Sequence, residues 1–73
     1  MPEIRVTSEV PGKVVDIEVS VGDEVDEDDS LIVLESMKME IPVEAPMSGK
    51  IVKVHVAEGD VVAEDQPLAV IET

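Results

Sequence analysis

Residues 12–36 read GKVVDIEVSVGDEVDEDDSLIVLES, and residues 49–73 read GKIVKVHVAEGDVVAEDQPLAVIET. The second segment repeats the first 37 residues later without a gap. Extending the overlay back to Glu3 gives 34 aligned pairs ending at Ser36, of which 15 are identical. Glu3-Ile4 falls on Glu40-Ile41, Gly22-Asp23 on Gly59-Asp60, Glu27-Asp28 on Glu64-Asp65, and Leu31, Val33 and Glu35 on Leu68, Val70 and Glu72. Many other pairs exchange one aliphatic residue for another. A unit of this size cannot cover its own apolar face, so the two copies must pack on each other. The expectation is one domain over residues 1–73 with internal pseudo-twofold symmetry.

The repeated unit reads as strands. Val15, Ile17, Val19 and Val21 alternate with Asp16, Glu18 and Ser20, and Val52, Val54 and Val56 alternate with Lys53, His55 and Ala57. That is the period of a half-buried strand. Leu31-Ile32-Val33-Leu34 and Leu68-Ala69-Val70-Ile71 are continuous apolar runs, as in strands buried on both faces. Gly22-Asp23, Gly59-Asp60, Pro11-Gly12 and Ser48-Gly49 mark turns. The pattern predicts an all-β fold: a flattened eight-stranded barrel-sandwich hybrid of two four-stranded antiparallel sheets. The predicted strands span 3–8, 13–19, 24–26, 31–35, 40–44, 50–56, 61–63 and 68–72. Met37-Lys38 then falls at a hairpin tip between the fourth and fifth strands.

Composition narrows the function. The 73 residues include no cysteine, so neither a disulfide framework nor a thiolate metal site is available. With no Phe, Tyr or Trp there is no stacking platform for single-stranded nucleic acid. The net charge of -13 repels phosphate backbones and anionic membranes. No basic-then-apolar leader and no apolar stretch of ~20 residues is present. The expectation is a cytoplasmic protein without nucleic-acid or membrane partners. His55 has no second histidine or cysteine to share a metal, and no pattern of a nucleophilic triad surrounds it. The acids from Asp23 to Asp29 lack the calcium-loop spacing and its central glycine, and read as a solvated turn. No phosphate-binding glycine loop occurs. Neither a metal site nor a catalytic residue is expected.

Met37-Lys38-Met39 has no counterpart within the aligned repeat, so it is the first place to look for function. The run Glu35-Ser36-Met37-Lys38-Met39-Glu40 resembles the attachment sequence of biotinyl domains, the biotin carboxyl carrier family. The likeness covers essentially the whole chain and includes Val10-Pro11-Gly12, Gly22-Asp23, Ala45-Pro46-Met47-Ser48-Gly49 and Pro67-Leu68-Ala69-Val70-Ile71-Glu72. It implies a non-catalytic carrier with biotin bound covalently to Lys38. Met37 and Met39 would serve modification by biotin protein ligase and placement of the ring. Glu35 would contribute to ligase recognition, although its repeat partner Glu72 has no lysine beside it. Glu40 matches Glu3 and reads as mainly structural. The implied partners are the ligase, a biotin carboxylase that loads the ring and a carboxyltransferase that unloads it.

The chemistry of attachment suits that position. Joining a carboxylate to an ε-amine needs an amine exposed on a sharp turn. The amide removes the lysine's charge and leaves a flexible tether. The competing reading is a lipoyl carrier of a 2-oxo acid dehydrogenase or glycine cleavage complex, which shares the fold. Lipoyl domains usually place Asp before the lysine and a small or β-branched residue after it, whereas both positions here are Met. A third reading, an unmodified interaction module, leaves the Met-Lys-Met insertion unexplained. The chain has neither an Ala/Pro-rich linker before Val10 nor the protruding insertion of some bacterial carriers. Its opening Met1-Pro2 favours a stand-alone carrier or an engineered start.

Eighteen acids against five bases, many of them crowded in turns, predict a salt-dependent stability. The Debye length falls to ~8 Å at ~0.15 M salt, shorter than the domain, so screening relieves the repulsion. The melting temperature at pH 7 should rise from near-zero salt to molar potassium chloride. A flat profile in a thermal melt would show that the acids are spaced too widely to matter.

Overall fold

A computed structural model describes residues 2–73; Met1, half of the opening Met1-Pro2 pair, lies outside them. Eight strands follow in chain order: β1 (Glu3–Thr7), β2 (Gly12–Ile17), β3 (Glu24–Val25), β4 (Ser30–Ser36), β5 (Met39–Glu44), β6 (Gly49–Val54), β7 (Val61–Val62) and β8 (Pro67–Glu72). All eight expected strands are present, with ends shifted by one or two residues. They form two antiparallel four-stranded sheets, ordered β1-β8-β6-β3 and β5-β4-β2-β7.

The repeat dictates this arrangement. A shift of 37 residues carries β1 onto β5, β2 onto β6, β3 onto β7 and β4 onto β8. It therefore carries one sheet onto the other. Each sheet takes two strands from each half, so the halves interleave and neither half contains a complete sheet. The continuous apolar runs lie in β4 and β8, and each of these has a strand on either side. Leu31, Ile32, Leu34, Leu68, Ala69 and Ile71 are fully buried there. Val14, Ile51, Val25 and Val62 close the core as repeat-related pairs. Ser8, a buried polar residue, donates its hydroxyl proton to the Val10 carbonyl, which satisfies it. Its repeat partner is the buried Ala45.

The two Gly-Asp turns clasp the opposite half. The Gly22 N–H donates to the Ile51 carbonyl at 2.7 Å, and the Ile51 N–H donates to the Asp23 carbonyl at 2.8 Å. The repeat supplies the same pair again: Gly59 N–H to the Val14 carbonyl and Val14 N–H to the Asp60 carbonyl, both 2.8 Å. Reaching across this way needs a backbone φ of 100° at Gly22 and 92° at Gly59, a region glycine enters without penalty. The aspartates lock the turns. Asp23 Oδ2 accepts the Ser20 N–H and Asp60 Oδ2 accepts the Ala57 N–H, each at 2.9 Å. Asp29 Oδ2 likewise accepts the Asp26 N–H. The acids of the Asp23–Asp29 stretch are exposed as expected, but Asp23 and Asp29 also hold the backbone, each accepting the N–H three residues before it.

The strand alternation holds along most of its length: Val15, Ile17 and Val19 are half-buried between exposed Asp16, Glu18 and Ser20. It departs at its ends, where Val21 is 63% exposed, β2 stops at Ile17, and Val14, outside the alternation, is fully buried. At Val14 the cause is a bulge. Val14 pairs with Leu34 and Asp16 with Val33, so Val15 is an extra residue that shifts the period. The repeat copies the bulge at Val52, between Ile51↔Ile71 and Lys53↔Val70.

Interleaved sheets predict that residues 1–36 alone cannot fold. Circular dichroism and amide dispersion of that fragment should show a disordered chain. A cooperative thermal transition in it would contradict the mutual dependence of the halves.

Candidate functional site

The β4–β5 hairpin has the cross-strand pairs Leu34↔Ile41, Glu35↔Glu40 and Ser36↔Met39, which leave only Met37 and Lys38 in the loop. A two-residue loop joining twisted antiparallel strands favours positive φ at both central positions, the type I′ turn. Met37 has φ 53° and Lys38 has φ 64°. Neither is the Asn or Gly that such turns prefer, and an L-residue there costs about 1–2 kcal/mol. Two adjacent residues thus hold a conformation their side chains disfavour, a form of stored strain associated with functional sites.

The turn displays its side chains fully. Met37 is 92% exposed and Met39 64%, and Lys38 is exposed between them. Met39 belongs to β5 as its first residue rather than to the loop. Below the tip the hairpin is fixed. Leu34 is buried in the core, and β2 lies close against β4 because Gly12 has no side chain: a Cβ there would sit 2.7 Å from the Glu35 carbonyl oxygen. The exposed tip thus stands on a rooted base.

Glu35 and Glu40 face each other across the hairpin, and Lys13 pairs with Glu35 from the other side. Directly opposed like charges destabilise a strand pair. The same arrangement recurs at the chain ends, where Glu72 pairs with both Glu3 and Lys50. The acid pair is therefore a property of the repeat, although Glu35 is exposed where Glu72 is half-buried. The strained turn is what distinguishes this end. The chain ends lie far from it: β1 starts beside the last residues of β8 and leads away, and only at Gly12 does the chain reach the base of the hairpin.

His55 is exposed, as its place on the polar side of the alternation implied. Among the described residues, no group of three or more His, Cys, Asp or Glu side chains could hold a metal ion. No helix among them is long and apolar enough to cross a membrane. The backbone conformation of the tip had no signal in the sequence, because Met-Lys is not a turn dipeptide. The repeat announced a short connection, and the Ser36↔Met39 pairing reduces it to two residues.

The two interleaved sheets and the rooted, exposed lysine hairpin define an attachment domain. The chain belongs to the biotin/lipoyl family described as biotin-requiring enzyme, whose model matches residues 1–71. It is 50% identical over 38 residues to the biotinylated protein TB7.3 homolog of Mycolicibacterium smegmatis, covering 52% of this chain and 54% of that one. The biotinylated protein TB7.3 of Mycobacterium tuberculosis is 47% identical over the same length. The match thus spans about half of these relatives' length. Among solved structures, the urea carboxylase of Kluyveromyces lactis aligns with 99% of this chain at TM-score 0.93 and 35% identity. A single-chain, multi-domain long-chain acyl-CoA carboxylase aligns with 97% at TM-score 0.90 and 33% identity. This chain covers only 6% and 7% of those two proteins.

The strain at the tip is testable. Asn tolerates positive φ better than Met, so Met37→Asn should stabilise the domain by up to about 1 kcal/mol. For a domain of this size that is a rise of a few degrees in Tm, read by differential scanning calorimetry. A lower Tm would mean that the Met37 side chain contributes packing its exposure does not reveal.

Proposed function

We propose that this chain is a biotin carboxyl carrier, with biotin joined by an amide to Nζ of Lys38. The observation that carries the reading is an exposed lysine at the apex of a strained two-residue turn, flanked by two exposed methionines on a rigid base. The residues present fit the group. The Lys38 amine stands clear of the body, and Met37 and Met39 offer soft apolar surface on either side of it. Nζ of Lys38, once it has lost a proton, would be the nucleophile toward an activated biotin carboxyl presented by biotin protein ligase, with the activating group leaving and a neutral amide remaining.

Bound biotin would supply the atom that takes up a carboxyl group at a biotin carboxylase and releases it at a carboxyltransferase. The protein's own contribution is positional. The hairpin roots the tether, and the tether converts encounter with each active site into a local search at high effective concentration. Catalytic groups belong to the partner components, and the acceptor is chosen by the carboxyltransferase. We place the carrier in the cytoplasm, beside the ligase. The biotinylated relatives and the two carboxylase neighbours support biotin over lipoate, as does Met on both sides of Lys38.

Co-expression with a biotin ligase should add one biotinyl group to the intact mass, and Lys38→Ala should abolish it. Peptide mapping that found biotin on Lys13, Lys50 or Lys53 would overturn the assignment. A lipoyl mass on protein from its native cells would favour the competing carrier.

A further inference from the structure

The repeat provides an internal comparison. Positions 37 residues apart occupy equivalent places on the two sheets, so the fold does not impose a difference between them. Across the β1-β8-β6-β3 sheet, Arg5 and Lys53 both pair with Val70, one from each side. The equivalent row on the other sheet is Pro42, Val33 and Asp16. His55 corresponds to Glu18, and Gln66 to Asp29. All four exchanges move charge in one direction. Each makes the first sheet less negative or more positive than its copy, on a chain whose net charge is -13.

The four residues are also neighbours. Arg5, Lys53, His55 and Gln66 line one shallow depression on the outside of this sheet, with Val70, Pro67 and Glu3 completing the lining; Glu3 is an acid on both sheets, its counterpart being Glu40. Val70 is only 8% exposed although it faces outward, while its counterpart Val33 is half-buried. The long stems of Arg5 and Lys53 flank Val70 where Pro42 and Asp16 flank Val33, and such stems cover apolar surface while their charges stay in water. On the other sheet Glu18 instead accepts the Ser30 hydroxyl proton, and no cation takes its place.

We propose that this outer face, with Arg5, Lys53 and His55 around Val70, docks a carboxylate-bearing patch on a protein component of the carboxylase. The proposal rests on the carrier reading above and names the surface that reading leaves open. Charge complementarity selects the occupant. A long polyanion would meet the -13 net charge of the rest of the chain, whereas a compact acidic patch meets only this face. The position fits as well. Val70 lies two residues from Glu72, at the chain-end side of the molecule and on the sheet that lacks the hairpin. Docking here holds the body and leaves Lys38 free to enter an active site.

The test uses the biotinylated domain, labelled with nitrogen-15, titrated at low salt with unlabelled biotin carboxylase and carboxyltransferase from the same source. Amide perturbations should centre on residues 3–7, 50–55 and 67–72. The double variant Arg5→Glu/Lys53→Glu should raise Kd about tenfold or more with unchanged biotinyl mass and an intact unfolding transition. Asp16→Lys/Glu18→Lys on the other sheet should leave Kd within about twofold. Perturbations confined to residues 35–40, or an unchanged Kd in the Arg5/Lys53 variant, would overturn the docking face. So would a Kd change of equal size and opposite sign in the Asp16/Glu18 variant, which would reduce the effect to net charge. A self-association of the free domain that the Arg5/Lys53 variant abolishes would assign the face to a second copy instead. A biotinylated domain that binds neither component overturns the docking face alone, whereas a domain that never acquires biotin on Lys38 overturns the carrier reading.

Discussion

Four backbone hydrogen bonds, two from each Gly-Asp turn to a strand of the opposite half, are the contacts on which the rest of the molecule depends. They reach Val14 and Ile51, two fully buried residues, just before the bulges at Val15 and Val52. The clasp thus ties the turns to the core and lets β2 and β6 bend around it. A chain of this length without cysteine or aromatic residues has little else to draw on. Each half donates its turn to the other, so cooperativity follows from topology rather than from any single strong interaction.

That rigidity is what the hairpin uses. A two-residue turn with positive φ at Met37 and Lys38 would be marginal on an isolated hairpin. Here β4 is an inner strand of its sheet, held by β2 on one side and β5 on the other, and Gly12 lets β2 approach the base closely. The surrounding sheet over-determines the turn, so two residues chosen for their side chains can occupy positions that favour Asn and Gly. Tether flexibility and backbone fixity are thereby separated at one Cα.

Much of this was legible in the residues. The repeat carried the number of strands and the equivalence of the two halves, while the order of strands within each sheet came only with the structure. The continuous apolar runs at 31–34 and 68–71 marked β4 and β8, each of which has a strand on either side. The bulges in β2 and β6 were not legible. A bulge adds one residue without a composition signal, and Val14-Val15 offers two equal candidates for the inward position. The turn caps were half legible: Asp after Gly announced a turn, but not that Asp23 and Asp60 would hold its backbone. At the candidate site, Lys38 stood out by sequence and lies where it was expected. The recurrence of the Glu35↔Glu40 pair as Glu72↔Glu3 appeared only with the register.

The chain ends meet as the hairpin strands do. Glu3 pairs with Glu72, and the Thr73 N–H donates to the Pro2 carbonyl at 3.0 Å. Topologically the fold is a closed ring with two equivalent tips, one spanned by Met37-Lys38 and the other left cut. A peptide linking the ends and a new opening elsewhere would give a circular permutant with the same two sheets. A Met-Lys-Met sequence at the sealed tip would make the ring bivalent, with one acceptor lysine at each end of a body 36 Å long.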